Sequence, residues 1–219
     1  MPLFESCQGI WLLEKTIKTI KTFTQWYSVN VTYPEYYLSG QPIQDFNTAV
    51  AGEVTGFVED FTDTAKQLAL PEERRPDLKG SHFTYTAVNR VITAKIDLYP
   101  YLGGAHPGHQ IITAAFDTTA NTAIILSDLF VPGSRYLERL STLAEEALFT
   151  KYPELGFAFN APTYREGFAP RAENFSHWAL TDAGLIIFFI EYQIAPYAAG
   201  ALEVEIPFEA IADIIMCYP

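Results

Sequence analysis

The run Leu185-Ile186-Ile187-Phe188-Phe189-Ile190 constrains the fold more than any other stretch of this chain. It offers water no polar face, so as a strand it must be covered on both sides. It is also far short of the roughly 18 to 20 apolar residues that cross a membrane, and no longer run occurs elsewhere. A soluble protein is therefore expected, with helices packed over a central strand.

The rest of the pattern supplies those helices. Apolar residues at Ile43, Phe46, Val50, Val54, Phe57, Phe61, Ala65 and Leu68 fall in steps of three and four. This spacing predicts an amphipathic helix of about seven turns, ended by Pro71. Gly52 and Gly56 sit inside it, and because glycine is a poor helix former the pair predicts a close approach by another backbone. A second helix is predicted over 134–151, with Leu137, Leu140, Ala144, Ala147 and Leu148 on one face and Tyr152-Pro153 as its stop.

Alternation marks the strands. Tyr27, Val29, Val31 and Tyr33 interleave with Ser28, Asn30 and Thr32, predicting a long strand or hairpin over 16–33. Phe83, Tyr85 and Ala87 before Asn89-Arg90, and Ile92, Ala94, Ile96 and Leu98 after it, predict a strand pair. Further strands are expected at 110–116, 123–126, 175–180, 185–194 and 201–207, with a capped helical turn at Ser127-Asp128-Leu129-Phe130. Residues 157–171 mix Asn, Pro, Gly and aromatics without period and read as a packed Ω-type loop. The fold class is α+β: a largely antiparallel sheet covered by two main helices, with a smaller N-terminal α/β subdomain. The proline-bounded polar loop Glu72-Glu73-Arg74-Arg75-Pro76-Asp77 divides a strand-helix subdomain, 1–78, from a C-terminal α+β domain, 79–219.

Charge narrows the partners. The chain carries 14 Lys and Arg against 26 Asp and Glu, a formal net charge of −12, which repels nucleic acid and favours basic proteins or neutral ligands. The two cysteines, Cys7 and Cys217, lie near opposite ends; they are either a staple formed in an oxidising compartment or two free thiols. Residues 1–7 lack the basic and apolar regions of a signal peptide.

Catalytic patterns are sparse. There is no Gly-x-Ser-x-Gly elbow, and Ser81-His82 and Ser176-His177 are merely adjacent pairs. Gly103-Gly104 precedes a strand and lacks the lysine of a phosphate-binding loop. His106 and His109 are three apart in a glycine loop and are the candidate metal ligands, although the spacing equally suits a rigid turn. Glu203 and Glu205 alternate with Leu202, Val204 and Ile206 and, with Glu191 nearby, read as a solvated strand face rather than an acid/base pair.

Two stretches carry a family resemblance. The first is Tyr99-Pro100-Tyr101-Leu102-Gly103-Gly104-Ala105-His106-Pro107, followed by Phe116-Asp117 and Leu126-Ser127-Asp128-Leu129-Phe130. The second is Glu191-Tyr192-Gln193-Ile194-Ala195-Pro196-Tyr197-Ala198-Ala199-Gly200, leading into Val204-Glu205-Ile206-Pro207-Phe208. Together they resemble the extracytoplasmic domain of RsiV-type anti-sigma factors, a domain of unknown function also similar to the accessory N-terminal region of PdaC-type peptidoglycan deacetylases. The N-terminal part, with Val29-x-Val31-x-Tyr33-Pro34 and the helix carrying Asn47, is similar to the small domain that precedes it in such proteins.

The resemblance implies an exported bacterial envelope protein that binds rather than catalyses, with lysozyme or peptidoglycan as ligand and no cofactor. It places the protein in the periplasm or at the cell surface, the export signal lying outside these residues. The sequence departs from both architectures, having no sigma-binding segment and no deacetylase domain with its metal ligands. The expected binding residues are Tyr101, Gly103, Gly104, His106, Pro107, Pro196, Tyr197 and Gly200, where glycine permits close approach and aromatic rings offer amphipathic surface. The alternatives are a metal-assisted hydrolase built on the Gly-Gly-Ala-His-Pro-Gly-His loop and a structural envelope protein whose partner is another protein or itself.

Overall fold

The computed structural model describes residues 12–87 and 90–216, so Cys7, Cys217 and Asn89 lie outside the described residues. The expected N-terminal hairpin forms from β1 (Leu13–Phe23) and β2 (Ser28–Leu38), paired antiparallel along their whole length. The two-residue β3 (Gln41–Pro42) folds back on the end of β2, and helix α1 (Gln44–Leu68) then crosses to β4 (Asp77–Ala87). That crossover makes β4 parallel to β2 over Ser28–Val31 only, the one parallel pairing among the described strands. β5 (Val91–Tyr101), β6 (Gln110–Asp117) and β7 (Thr122–Ile124) continue antiparallel, giving the order β1-β2-β4-β5-β6-β7. β4 runs through position 78 and joins the N-terminal strands to the rest of this sheet.

A second sheet completes the α+β fold. Helix α2 (Tyr136–Lys151) is followed by two single-turn helices, α3 (Gly156–Phe159) and α4 (Pro162–Arg165), and then by β8 (Trp178–Leu180), β9 (Gly184–Phe189) and β10 (Leu202–Pro207) in the order β10-β9-β8. The apolar run at 185–190 is thus the central strand of this smaller antiparallel sheet, and all its residues from Leu185 to Phe189 are buried except a partly exposed Ile186. The residues read as an Ω-type loop are instead short helices and 3-10 turns. Phe159 and Phe168 pin them to the core, edge to face at 5.8 Å, and each turn satisfies its backbone locally.

Three apolar clusters hold these layers. α1 lays Phe46, Val50, Val54, Val58, Phe61 and Ala65 on the even-numbered face of β5, against Ile92, Ala94, Ile96 and Leu98. α2 covers the small sheet with Leu140, Ala144 and Leu148. Between the sheets lies a third, small cluster of Ile111, Ala179 and Phe188. The helix glycines do not act as expected: a side chain built on Gly52 or Gly56 would meet nothing within 4 Å, because both lie on the solvent side of α1.

Where β4 diverges from β2, the edge of β2 is left with unpaired backbone groups. Asn47, buried on α1, takes their place. Its Oδ1 accepts from the Tyr36 N–H at 2.8 Å and its Nδ2 donates to the Tyr36 carbonyl at 2.8 Å. The side-chain amide thereby acts as a surrogate strand, which explains a polar residue on the apolar face of the helix.

Candidate functional site

Two connections, 102–109 between β5 and β6 and 190–201 between β9 and β10, meet at one end of the molecule. Each is shaped by local backbone chemistry. Gly103 adopts φ +81° against Leu70, leaving no room for a side chain, and the Arg74 guanidinium donates to its carbonyl. β9 stops at Phe189, short of the expected 194, because the chain turns at Glu191-Tyr192-Gln193 with Tyr192 at φ +69°. Pro196 then opens a single 3-10 turn, Tyr197–Ala199, closed by Gly200 at φ +72°.

The connections are tied at the surface by an aromatic cluster. The His106 and Tyr197 rings stack with centroids 3.6 Å apart at 19°, and the Tyr192 ring lies 5.8 Å from Tyr197. The Pro107 carbonyl, which can only accept, binds both the His106 Nδ1–H at 2.9 Å and the Tyr197 hydroxyl at 3.2 Å. The Tyr192 hydroxyl lies 3.4 Å from His106 Nε2. His106 is exposed, and Tyr192 is 56% exposed with Tyr99 and Leu102 close to 40%. Among the expected residues the structure brings His106, Pro107, Pro196 and Tyr197 together. Tyr101 is half-buried at the end of β5 opposite Asp77, Gly104 is exposed, and Gly103 and Gly200 shape the turns.

Beneath this surface lies a buried chain of charges. His109 Nε2 is 2.9 Å from Asp97 Oδ1 and its Nδ1 is 2.8 Å from Glu191 Oε2, with the imidazole side chain 3% exposed. The Lys95 ammonium reaches both oxygens of Asp97 at 2.5 Å and lies over the Phe188 ring at 4.9 Å. Tyr99 stacks on the His109 ring at 4.5 Å and 7°. Burial pulls the His109 pKa down, but the hydrogen bond to Asp97 and the charge of Glu191 outweigh it and hold the pKa above the ordinary histidine value. Burial pushes the Asp97 carboxyl up, and the bonds from His109 and Lys95 reverse this and hold it below the ordinary range. His177, desolvated and facing the charges of His109 and Lys95, is pushed down.

The two candidate metal ligands, His106 and His109, face different partners. Both nitrogens of His109 are taken by carboxylates and His106 Nδ1 by a carbonyl, so the two imidazoles do not converge on a cation. No group of three metal-ligating side chains occurs among the described residues. Glu203 and Glu205 do face solvent, as read, but Glu191 does not: its side chain is 14% exposed and bound to His109. Lys95 and Asp97 were missed because they alternate with the apolar residues of β5 and so read as its solvent face. The signal that identifies them is the apolar run of β9, which needs cover on both faces and finds part of it on the polar side of β5.

A separate cleft of about 410 Å³ lies between α1, β6 and β7, lined by Phe46, Ala49, Ile124, Ile125, Tyr136 and Trp178 among others. It shares no residue with the two connections. No helix among the described residues is long and apolar enough to cross a membrane.

Comparison with known proteins agrees with this fold. Residues 127–209 match the family model described as a protein of unknown function, DUF3298. That span includes the Asp128-Leu129-Phe130 turn and the 190–201 connection but not the 102–109 loop. The chain is 30% identical over 143 residues to the peptidoglycan-N-acetylmuramic acid deacetylase PdaC of Bacillus subtilis, covering 65% of this chain and 29% of the deacetylase. It therefore spans under a third of that enzyme. It is 24% identical to Esterase Rv3036c of Mycobacterium tuberculosis, over 84% of this chain and 77% of the esterase. Crystal structures of DUF3298 proteins from Bacteroides fragilis and Pseudomonas aeruginosa superpose with TM-scores of 0.66 and 0.65, at 18% and 16% identity. They cover 96% and 95% of this chain, and 96% and 94% of their own. Residues 127–209 thus resemble the DUF3298 model, within a fold shared with those two structures along nearly the whole chain.

Proposed function

We propose that this chain is a non-catalytic binding module of the bacterial envelope, exported from the cytoplasm, which recognises peptidoglycan glycan through the aromatic cluster of His106, Tyr192 and Tyr197. The observation that carries this reading is the stack itself, an exposed His106 ring on a half-buried Tyr197 ring. Rings fixed at 3.6 Å by a shared carbonyl form a rigid platform of the kind that packs against the apolar face of a sugar ring at low entropic cost. The similarity to a peptidoglycan deacetylase supports the wall as the location of the ligand.

Two other readings each rest on one observation. The net charge of −12 favours a basic protein such as lysozyme at the same platform, through faster encounter. The esterase relative favours a hydrolase. Sedimentation with purified cell-wall sacculi, binding to immobilised lysozyme and hydrolysis of a short-chain chromogenic ester, each with the wild type and Tyr197→Ala, separate the three. The expected result is saturable retention on sacculi that Tyr197→Ala weakens about tenfold, the loss expected of one anchoring aromatic. No retention on sacculi would reject the glycan reading.

A further inference from the structure

The proposed platform stands on two connections whose deepest link is one imidazole, and the chemistry of that link is proton-dependent. A neutral imidazole carries one N–H, whereas an ionised carboxylate only accepts. His109 faces a carboxylate oxygen at both nitrogens, 2.9 Å from Asp97 and 2.8 Å from Glu191, so two good bonds require the imidazolium. Asp97 belongs to β5, in the middle of the large sheet, while Glu191 belongs to the 190–201 connection that carries Tyr192 and Tyr197. The bridge therefore joins a rigid element to the segment that carries the platform.

We propose that His109 is a proton-dependent latch: as the imidazolium it clamps the 190–201 connection to β5 and sets Tyr192 and Tyr197 against His106, and on deprotonation it releases Glu191. The regulatory consequence rests on reading the platform as the binding surface; the latch itself does not. The charged and titratable groups around the ring act in one sense. From β5, Asp97 and the stacked Tyr99 face it, with Lys95 neutralising the far side of Asp97. The 190–201 connection contributes Glu191, the segment before β8 contributes His177, and β4 contributes Tyr85, which feels the Asp97 charge. Because the folded pKa of His109 lies above its ordinary value, the clamp is fully formed below about pH 6.5 and is lost as pH rises through that raised value. At the acid end Asp97, held low, keeps its contribution until pH falls through its own depressed value.

Ile194 and Ala195 seat the connection in the core, and Gln193 Nε2 donates to the Asn174 carbonyl at 3.0 Å, so loss of the clamp frees the exposed parts of the connection that carry Tyr192 and Tyr197 while this buried anchor stays. Local opening of the connection, rather than global unfolding, is the consequence.

Amide hydrogen exchange of the full chain without ligand tests this directly, alongside the imidazole resonances of His109. Between about pH 6 and pH 9, after correction for intrinsic exchange, protection of 190–201 should fall at least about tenfold while β5 stays protected. Glu191→Gln, whose amide can donate to or accept from Nδ1, should keep the connection protected at both pH values, and His109→Gln should leave it open at both. A His109 that titrates at or below its ordinary value, or protection that is unchanged with pH in the wild type, would overturn the latch. Because no ligand enters the measurement, a latch that behaves as described beside absent glycan binding would reject the platform reading alone. Intact binding with pH-independent protection would reject the latch alone.

Discussion

Replacing Asp97 by alanine perturbs two buried cations at once. Asp97 is 3% exposed and is the carboxylate for both the Lys95 ammonium, at 2.5 Å, and His109 Nε2, at 2.9 Å. Lys95 is 9% exposed and otherwise lies between the rings of Phe188 and Phe83, at 4.9 and 5.4 Å, which cannot replace a hydrogen-bonded counter-ion. Breaking a buried ion pair by removing one partner costs about 3–5 kcal/mol, because the remaining charge is desolvated and unpaired. Against a typical domain stability of about 5–15 kcal/mol, Asp97→Ala should remove a large fraction of the total. Removing both partners should behave differently. In Lys95→Met with Asp97→Leu, apolar groups fill the space between Phe83 and Phe188, and His109 keeps Glu191 as acceptor for its one remaining N–H. The double variant should regain the part of the loss that comes from Lys95, leaving about 1–3 kcal/mol for the His109 Nε2 that no longer has a partner. Urea unfolding followed by the fluorescence of buried Trp178 reads both numbers. A loss below about 1 kcal/mol for Asp97→Ala, or a double variant no more stable than the single one, would refute the reasoning that burial and pairing define this network.

Two further changes test the scaffold. Asn47→Ala should destabilise by about 2–4 kcal/mol in the same urea assay, because the buried Tyr36 N–H loses its acceptor; the Tyr36 carbonyl retains the Ile43 N–H at 3.0 Å, which keeps the loss below that of two orphaned groups. Gly52→Ala should raise the thermal midpoint, gaining about 0.5–1 kcal/mol, since the side chain points into open space on a helix.

Much of the scaffold is legible in the sequence because each element carries its own period. α1, α2 and the hairpin follow from three-to-four and two-residue spacing, and β9 from an apolar run that leaves it no solvent face. Reading fails where one pattern serves two environments. The Lys95 and Asp97 positions of β5 alternate as a solvated face would, yet a second sheet packs over them. Glu191 resembles Glu203 and Glu205 by residue type, but the turn at Tyr192 swings it inward to His109. Gly52 and Gly56 suggest a close packing that does not occur, since glycine on a solvated helix face leaves the same sequence mark as glycine at a contact. The surface cluster is half visible: His106, Pro107 and Tyr197 lie in the two motifs that carry the family resemblance, whereas Tyr192 joins them only through the left-handed turn that ends the strand.

Amide chemical-shift mapping of isotope-labelled protein during titration with soluble muropeptide, and separately with lysozyme, tests the central claim that the two connections form the binding surface. The account predicts saturable changes under muropeptide, confined to 102–109 and 190–201 and led by His106, Tyr192 and Tyr197. Changes centred instead on the cleft beside Phe46, Ile125 and Trp178, or a silent spectrum with muropeptide, would contradict it.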